Sequence, residues 1–132
     1  MKLKDRVTEA RRIAPFVWTE NGRAFIVPGH EGRRYQVILK RRPGVIQVRC
    51  EQWTALGPTR RCPGNSAGVC YHGIAAIIAA AERRGYGVSF AENARDAARV
   101  RRLHPDGSVF SVVSVQSGRT IYGVYYPNGG ER

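Results

Sequence analysis

Lysine, cysteine, methionine and acidic residues are all scarce in this chain of 132 residues, and no long apolar run occurs in it. The longest uncharged and mostly apolar stretch, Val69 to Ala81, has roughly a dozen residues against the ~20 a helix needs to cross a bilayer, so no membrane partner is expected. Met1-Lys2-Leu3-Lys4-Asp5 is charged and has no apolar h-region, so a secretory signal is not expected and a cytoplasmic location follows. Three cysteines are odd in number, and a reducing compartment keeps thiols free, which excludes a disulfide framework. Neither a Gly-rich phosphate loop nor a carboxylate cluster supports nucleotide hydrolysis. The low hydrophobicity of disordered chains is also missing, since 42% of residues are hydrophobic and Val, Ile, Tyr and Trp recur in short periodic clusters. One domain spanning 1–132 is expected.

Positive charge is what the chain has in excess. Twenty-two Lys+Arg against ten Asp+Glu give +12, and nineteen of the basic residues are Arg, with Lys only at Lys2, Lys4 and Lys40. Two readings are open: attraction to a polyanion such as nucleic acid, or the Arg bias of a GC-rich coding sequence. Residues 1–66 carry 14 basic and 5 acidic side chains, whereas 67–132 carry 8 and 5, so the charge is concentrated in the first half.

Periodicity divides the chain into short elements of both kinds. Leu3, Val7, Ala10 and Ala14 mark one face of a helix that Pro15 ends. Asn21-Gly22 between Phe16–Thr19 and Arg23–Val27 is a hairpin signal, because both turn residues tolerate positive φ. Alternation from Tyr35 to Lys40, a turn at Arg42-Pro43-Gly44, and a returning strand from Val45 to Cys50 complete a four-stranded meander. Residues 54–69, rich in Gly, Pro, Ser and Asn, are expected as a long surface loop. Ile74, Ile77, Ile78 and Ala81 lie at helical spacing ahead of an Arg83-Arg84-Gly85 stop. Ser89-Phe90-Ala91-Glu92 reads as a capping box for a helix lined by Phe90, Ala94, Ala97 and Ala98. Val109–Gln116 and Thr120–Tyr126 form a last hairpin, apolar on both faces, that completes the central sheet or pairs with another chain. The expected class is α+β: a mainly antiparallel sheet of two to three hairpins with two to three helices.

All three cysteines and one of three histidines fall within 23 residues. Cys70-Tyr71-His72 opens the Ile74 helix, whose N-terminus favours thiolate over thiol; Cys50 ends a strand, and Cys62 lies in the expected loop. Together Cys50, Cys62, Cys70 and His72 form a Cys₃His set. Soft thiolates with imidazole select zinc, and four protein ligands leave no open position for a catalytic water. The competing reading makes the cysteines small core hydrophobes, with Cys50 beside Ile46 and Val48.

The stretch from Tyr35-Gln36-Val37 through the strand into Cys50, a variable spacer, and Cys70-Tyr71-His72-Gly73-Ile74 opening an apolar helix resembles a SWIM-type zinc finger. That family has Cys-x-Cys, a spacer, then Cys-x-His. Here Gln52 stands where its second Cys is expected, and Cys62 is the candidate replacement. The resemblance covers about residues 35–84, leaving a helix and hairpin at 2–28 and another pair at 89–127 outside it. It implies a ββα core around one structural zinc, and binding of DNA or of a protein partner.

The residues lean toward nucleic acid, DNA ahead of RNA. Arg33, Arg34, Lys40, Arg41, Arg42, Arg49, Arg60 and Arg61 bracket the central hairpin and ligand loop, while Tyr35 and Trp53 offer stacking surfaces. The alternative is a solvated basic face with Tyr35 in the core. A thiol enzyme is the rival class, but Cys70 and His72 on one helix project apart, and neither His30 nor His104 has a partnering carboxylate or amide in a recognisable motif. No catalytic residue is expected. A zinc-stabilised module for a protein partner is the remaining alternative.

Overall fold

Short alternating segments become strands of a single sheet because each buries one row of side chains against helices. The computed structural model describes residues 2–54 and 57–128, with the backbone alone for 57–61. The helices are α1 (Leu3–Ile13), α2 (Pro63–Ala67), α3 (Tyr71–Arg83) and α4 (Ala94–Leu103). The strands are β1 (Trp18–Thr19), β2 (Ala24–Pro28), β3 (Arg34–Arg42), β4 (Val45–Thr54), β5 (Gly57–Arg61), β6 (Tyr86–Ala91), β7 (Ser108–Ser114) and β8 (Thr120–Pro127). The class is α+β. All eight strands share one sheet ordered β1-β2-β3-β4-β7-β8-β6, with β5 added to β4. Every pairing is antiparallel except β4 with β7. No helix among the described residues is long and apolar enough to cross a membrane.

The first half follows its local signals. α1 buries Leu3, Ala10 and Ile13 and gives way to a single 3₁₀ turn containing Pro15. At the first hairpin Gly22 takes φ +74, and Asn21 Oδ1 accepts from the N–H groups of Arg23 and Ala24 at 2.9 and 3.0 Å. The meander β1-β2-β3-β4 forms as expected.

Two expectations change, and the last hairpin takes the first of its two expected places. Residues 54–69 are not a plain loop: β5 pairs along the end of β4, and α2 starts at Pro63, where a missing N–H costs nothing. Backbone pairing to β4 and tertiary contacts supply this order, which composition alone does not show. Ser89-Phe90-Ala91-Glu92 is not a helix start, because 86–91 is strand β6, paired along its length with β8. Asn93 caps α4 instead, its side chain accepting from Asp96 N–H at 2.9 Å. The β7–β8 hairpin completes this sheet, lying between β4 and β6. Its apolar character on both faces follows, since Phe110, Val112 and Ile121 join the main core while Val124 packs with Ala91 and Ala97 of α4 on the reverse side.

The helices therefore cover the sheet unequally. α1 and α3 share the main core with Phe25, Val27, Val37, Leu39, Ile46 and Val48. On the other face α4 packs on β6, β8 and β7, and among the described residues no helix packs over the outward side chains of β2, β3 and β4. α3 approaches β4 closely at Gly73, where a β-carbon would sit 2.6 Å from Val48 Cγ1. Val48 is fully buried and stiff at χ1, so it cannot yield. Gly73→Ala should therefore lose about 1–3 kcal/mol despite its better helix propensity, measured by urea unfolding.

Candidate metal centre

Cys50, Cys62, Cys70 and His72 reach one point from three parts of the fold. Cys50 is on the helix-facing side of β4, Cys62 directly precedes α2, Cys70 is the N-cap of α3, and His72 lies in its first turn. Their ligand atoms all lie within 4.8 Å of one another, and all four residues are buried. His72 Nδ1 stands 3.5 Å from Cys62 Sγ. Thiolates about 2.3 Å from a zinc ion would be about 3.8 Å apart in a tetrahedron, so the set needs only a small contraction to close on one ion. The four residues can hold one metal ion. Cys50 does share the core face with Ile46 and Val48, as the competing reading had it, but its sulfur belongs to this cluster.

Cys70 and His72 converge, contrary to the expectation that two positions on one helix project apart. The reason is that Cys70 is not helical: as N-cap it has φ −76 and ψ 162, which turns its side chain back over the first turn. Its sulfur accepts the Gly73 N–H at 3.3 Å, a capping bond that favours thiolate. Tyr35 lies flat on His72 with ring centroids 3.8 Å apart, and Gly29 presses on both, since a β-carbon there would be 2.5 Å from the Tyr35 ring. Tyr35 is thus buried in the wall of the cluster and is not free to stack on a base.

An amide network ties the cysteine segments together, and nothing in the sequence pattern marked it. Gln116, just beyond β7, uses its side chain as a strand partner for Cys50: Nε2 donates to the Cys50 carbonyl at 2.9 Å and Oε1 accepts its N–H at 3.2 Å. Asn65 of α2, fully buried, donates through Nδ2 to Gln116 Oε1 and to the Val48 carbonyl. Its Oδ1 accepts from Cys70 N–H at 3.5 Å, its N–H reaches the Cys62 carbonyl at 3.1 Å, and its own carbonyl accepts from Ser114 Oγ at 2.6 Å. Asn65 could have been suspected only as a polar residue in a supposed loop.

The three thiols polarise one another. Hydrogen bonds from Cys50 and Cys70 hold the Cys62 thiol far below its usual range. Those same contacts push Cys50 strongly up, while burial drives Cys70 up to about 12. Without a cation the site stabilises one thiolate, and a divalent ion at its centre would favour all three.

The expected nucleic-acid residues divide between the two faces. Arg34, Lys40, Arg42, Arg49 and Trp53 lie on the uncovered face, where strand register sets Arg34 opposite Trp53 and Lys40 opposite Gln47. Arg41 is on the helix side, lining a small cavity with Arg84 and Tyr125, and burial and Arg84 lower its pKa. Arg33 lies outside the strands, 3.8 Å from Glu31. The side chains of Arg60 and Arg61 lie outside the described residues.

Two outcomes follow. Uptake of zinc at pH 7 should release fewer than three protons from the coupled thiols, since one of them is held down, measured by calorimetry in buffers of different ionisation enthalpy; release of all three would mean that no thiolate is preformed. The raised Cys70 value also makes the metal-free protein lose stability as pH climbs from about 8.5, the ordinary thiol value, toward 12, whereas the loaded protein should lose it in acid. Separately, Asn65→Leu should cost about 2–3 kcal/mol in denaturant unfolding and weaken metal binding at least about tenfold, while Ser66→Ala on the exposed side of α2 leaves both unchanged.

Comparison of the chain with known protein families, with characterised proteins and with solved structures finds no match to any of them.

Proposed function

We propose that this is a non-catalytic cytoplasmic protein, built around one structural zinc in a SWIM-like arrangement, that binds nucleic acid, DNA ahead of RNA, through the uncovered face of its sheet. The observation that carries the metal reading is the convergent, buried Cys₃His set: soft donors select zinc, and four protein ligands fill a tetrahedral shell and leave no position for a reacting water. The SWIM-like reading draws support from the β3–β4 hairpin leading into Cys50 and from Cys70 and His72 at the start of α3.

The uncovered face supports the nucleic-acid reading by charge. Arg34, Lys40, Arg42 and Arg49 project from it around half-buried Ile26, Gln36, Ile38 and Gln47, with Trp53 at one end and Glu51 as its single acidic side chain among the described residues of β2, β3 and β4. The three ion pairs among the described residues, Arg12–Glu9, Arg33–Glu31 and Arg99–Asp96, involve none of these four cations. Cations free of carboxylates suit phosphate contacts, which position a nucleic acid without reading its sequence. A protein-partner reading is favoured by Phe16 just before edge strand β1 and Trp18 within it, 72% and 57% exposed.

Metal analysis should find one equivalent of zinc per chain; a clear deficit after gentle purification overturns the site. Affinity for a DNA oligonucleotide, followed by fluorescence anisotropy, should fall steeply with salt. Lys40→Glu with Arg49→Glu should weaken it by about tenfold or more, and Arg33→Glu much less. Binding indifferent to salt and to the double variant, or lost instead on Trp18→Ser, would favour the protein-partner reading.

A further inference from the structure

A cleft of about 660 Å³ opens on the helix side of the sheet, away from the basic face just described, between α1, the segment before α3, and the β7–β8 turn. Two arginines from distant parts of the chain meet there. Arg6 of α1 donates through Nη1 to the Val69 carbonyl, but its Nε is buried and has no hydrogen-bond partner. Arg119, in the β7–β8 turn, forms no ion pair with any described residue. Both flank Gly68: the position its β-carbon would take is 3.7 Å from Arg6 Nη1 and 3.9 Å from Arg119 Cδ.

The walls that carry these arginines are fixed to each other. Ser117 Oγ donates to the Gly68 carbonyl at 3.2 Å and accepts the Arg119 N–H at 3.2 Å, while the Arg119 carbonyl accepts from Ser114 N–H at 3.0 Å. The N-terminal turn of α3, a helix of 13 residues, lines the same cleft, so its positive end adds to the guanidinium charge. Two arginines without an ion pair thus line one cleft beside a single glycine, and one of them hides a donor from water without giving it an acceptor. A tetrahedral oxyanion between them is matched by the guanidinium donors that still face the cleft, because guanidinium geometry fits phosphate oxygens. Glu92 and the ligand residues Cys62, Cys70 and His72 line the same cleft, so an anion is placed on its Gly68 side, away from carboxylate and sulfur.

We infer that the cleft between Arg6 and Arg119 is a phosphate-binding site, distinct from the sheet face and independent of it. The phosphate belongs either to a free phosphate or small phosphate ester, or to a nucleic-acid backbone that reaches round to this side.

The test is titration of the metal-loaded, ¹⁵N-labelled protein with inorganic phosphate at constant ionic strength, sodium chloride being the control. The expected result is saturable movement of the Arg6 Nε–H and of the Gly68 and Arg119 amides. In Arg119→Gln the affinity should fall about tenfold or more, and Arg119→Lys should recover part of it. Linear shifts equal to those from chloride, or an affinity unchanged in Arg119→Gln, would overturn the site. Arg119 is exposed, so its variants should fold, and the unmoved resonances of the main core verify that. Competition with phosphate by a short DNA oligonucleotide assigns the site to a backbone phosphate. Phosphate binding without such competition assigns it to a small ester. Persistence of phosphate binding in the Lys40→Glu, Arg49→Glu protein separates this site from the sheet-face reading.

Discussion

Three thiols and an imidazole buried at one point set a constraint that much of the surrounding structure answers to. Sulfur atoms this close cannot all ionise without a cation, and buried imidazole needs a partner. The chain must therefore bring in either protons or a metal. The segments that deliver these groups are the end of β4, the turn into α2 and the start of α3. The middle one is not held by its own local preferences. The 57–70 stretch has few apolar side chains, and α2 is only five residues long. Its order comes from β5 pairing on β4, from Cys62 bonding to Cys50, and from the amides of Asn65 and Gln116.

That amide network resembles the way a sheet would have continued. β7 runs parallel to β4 only from Val45 to Val48, and beyond that point Gln116 reaches back to pair with Cys50 through its side chain. The ligand strand thus keeps its hydrogen bonds where backbone pairing with β7 stops. Asn65 passes this support on to Cys62 and Cys70, so the cluster is braced by polar groups that are themselves satisfied, a condition under which buried networks rigidify a site.

Charge follows the same division of the fold. One face of the sheet is given to the core and the cluster, and α4 shields part of the other. The strand cations on the remaining part, and Arg6 and Arg119 on the helix side, form no ion pair with any described residue. Within the first half the positive excess is split between the two sides of the sheet, because alternate residues of a strand point to opposite faces. Arg41 and Lys40 are neighbours in sequence and end on opposite sides of the sheet.

Periodicity determined most of the local architecture: α1, the Asn21-Gly22 hairpin, the meander, α3 and the β7–β8 hairpin each carry a pattern that a short window contains. Residue chemistry alone also picked out the four Cys and His side chains, since soft donors are few here and crowd into one stretch. The remaining features depend on partners far along the chain. β6 looked like a helix start because Ser89 and Glu92 have the right spacing, and only pairing with β8 settles it as a strand. The parallel β4–β7 contact, the burial of Tyr35 against His72, and the role of Asn65 and Gln116 join segments tens of residues apart. No local window holds both members of such a pair. The sequence by itself therefore determined which groups are available and the elements that carry them. Tertiary structure decided which groups meet, because burial and hydrogen bonding between distant segments outweigh the weak preferences of Gly-, Pro- and Asn-rich chain.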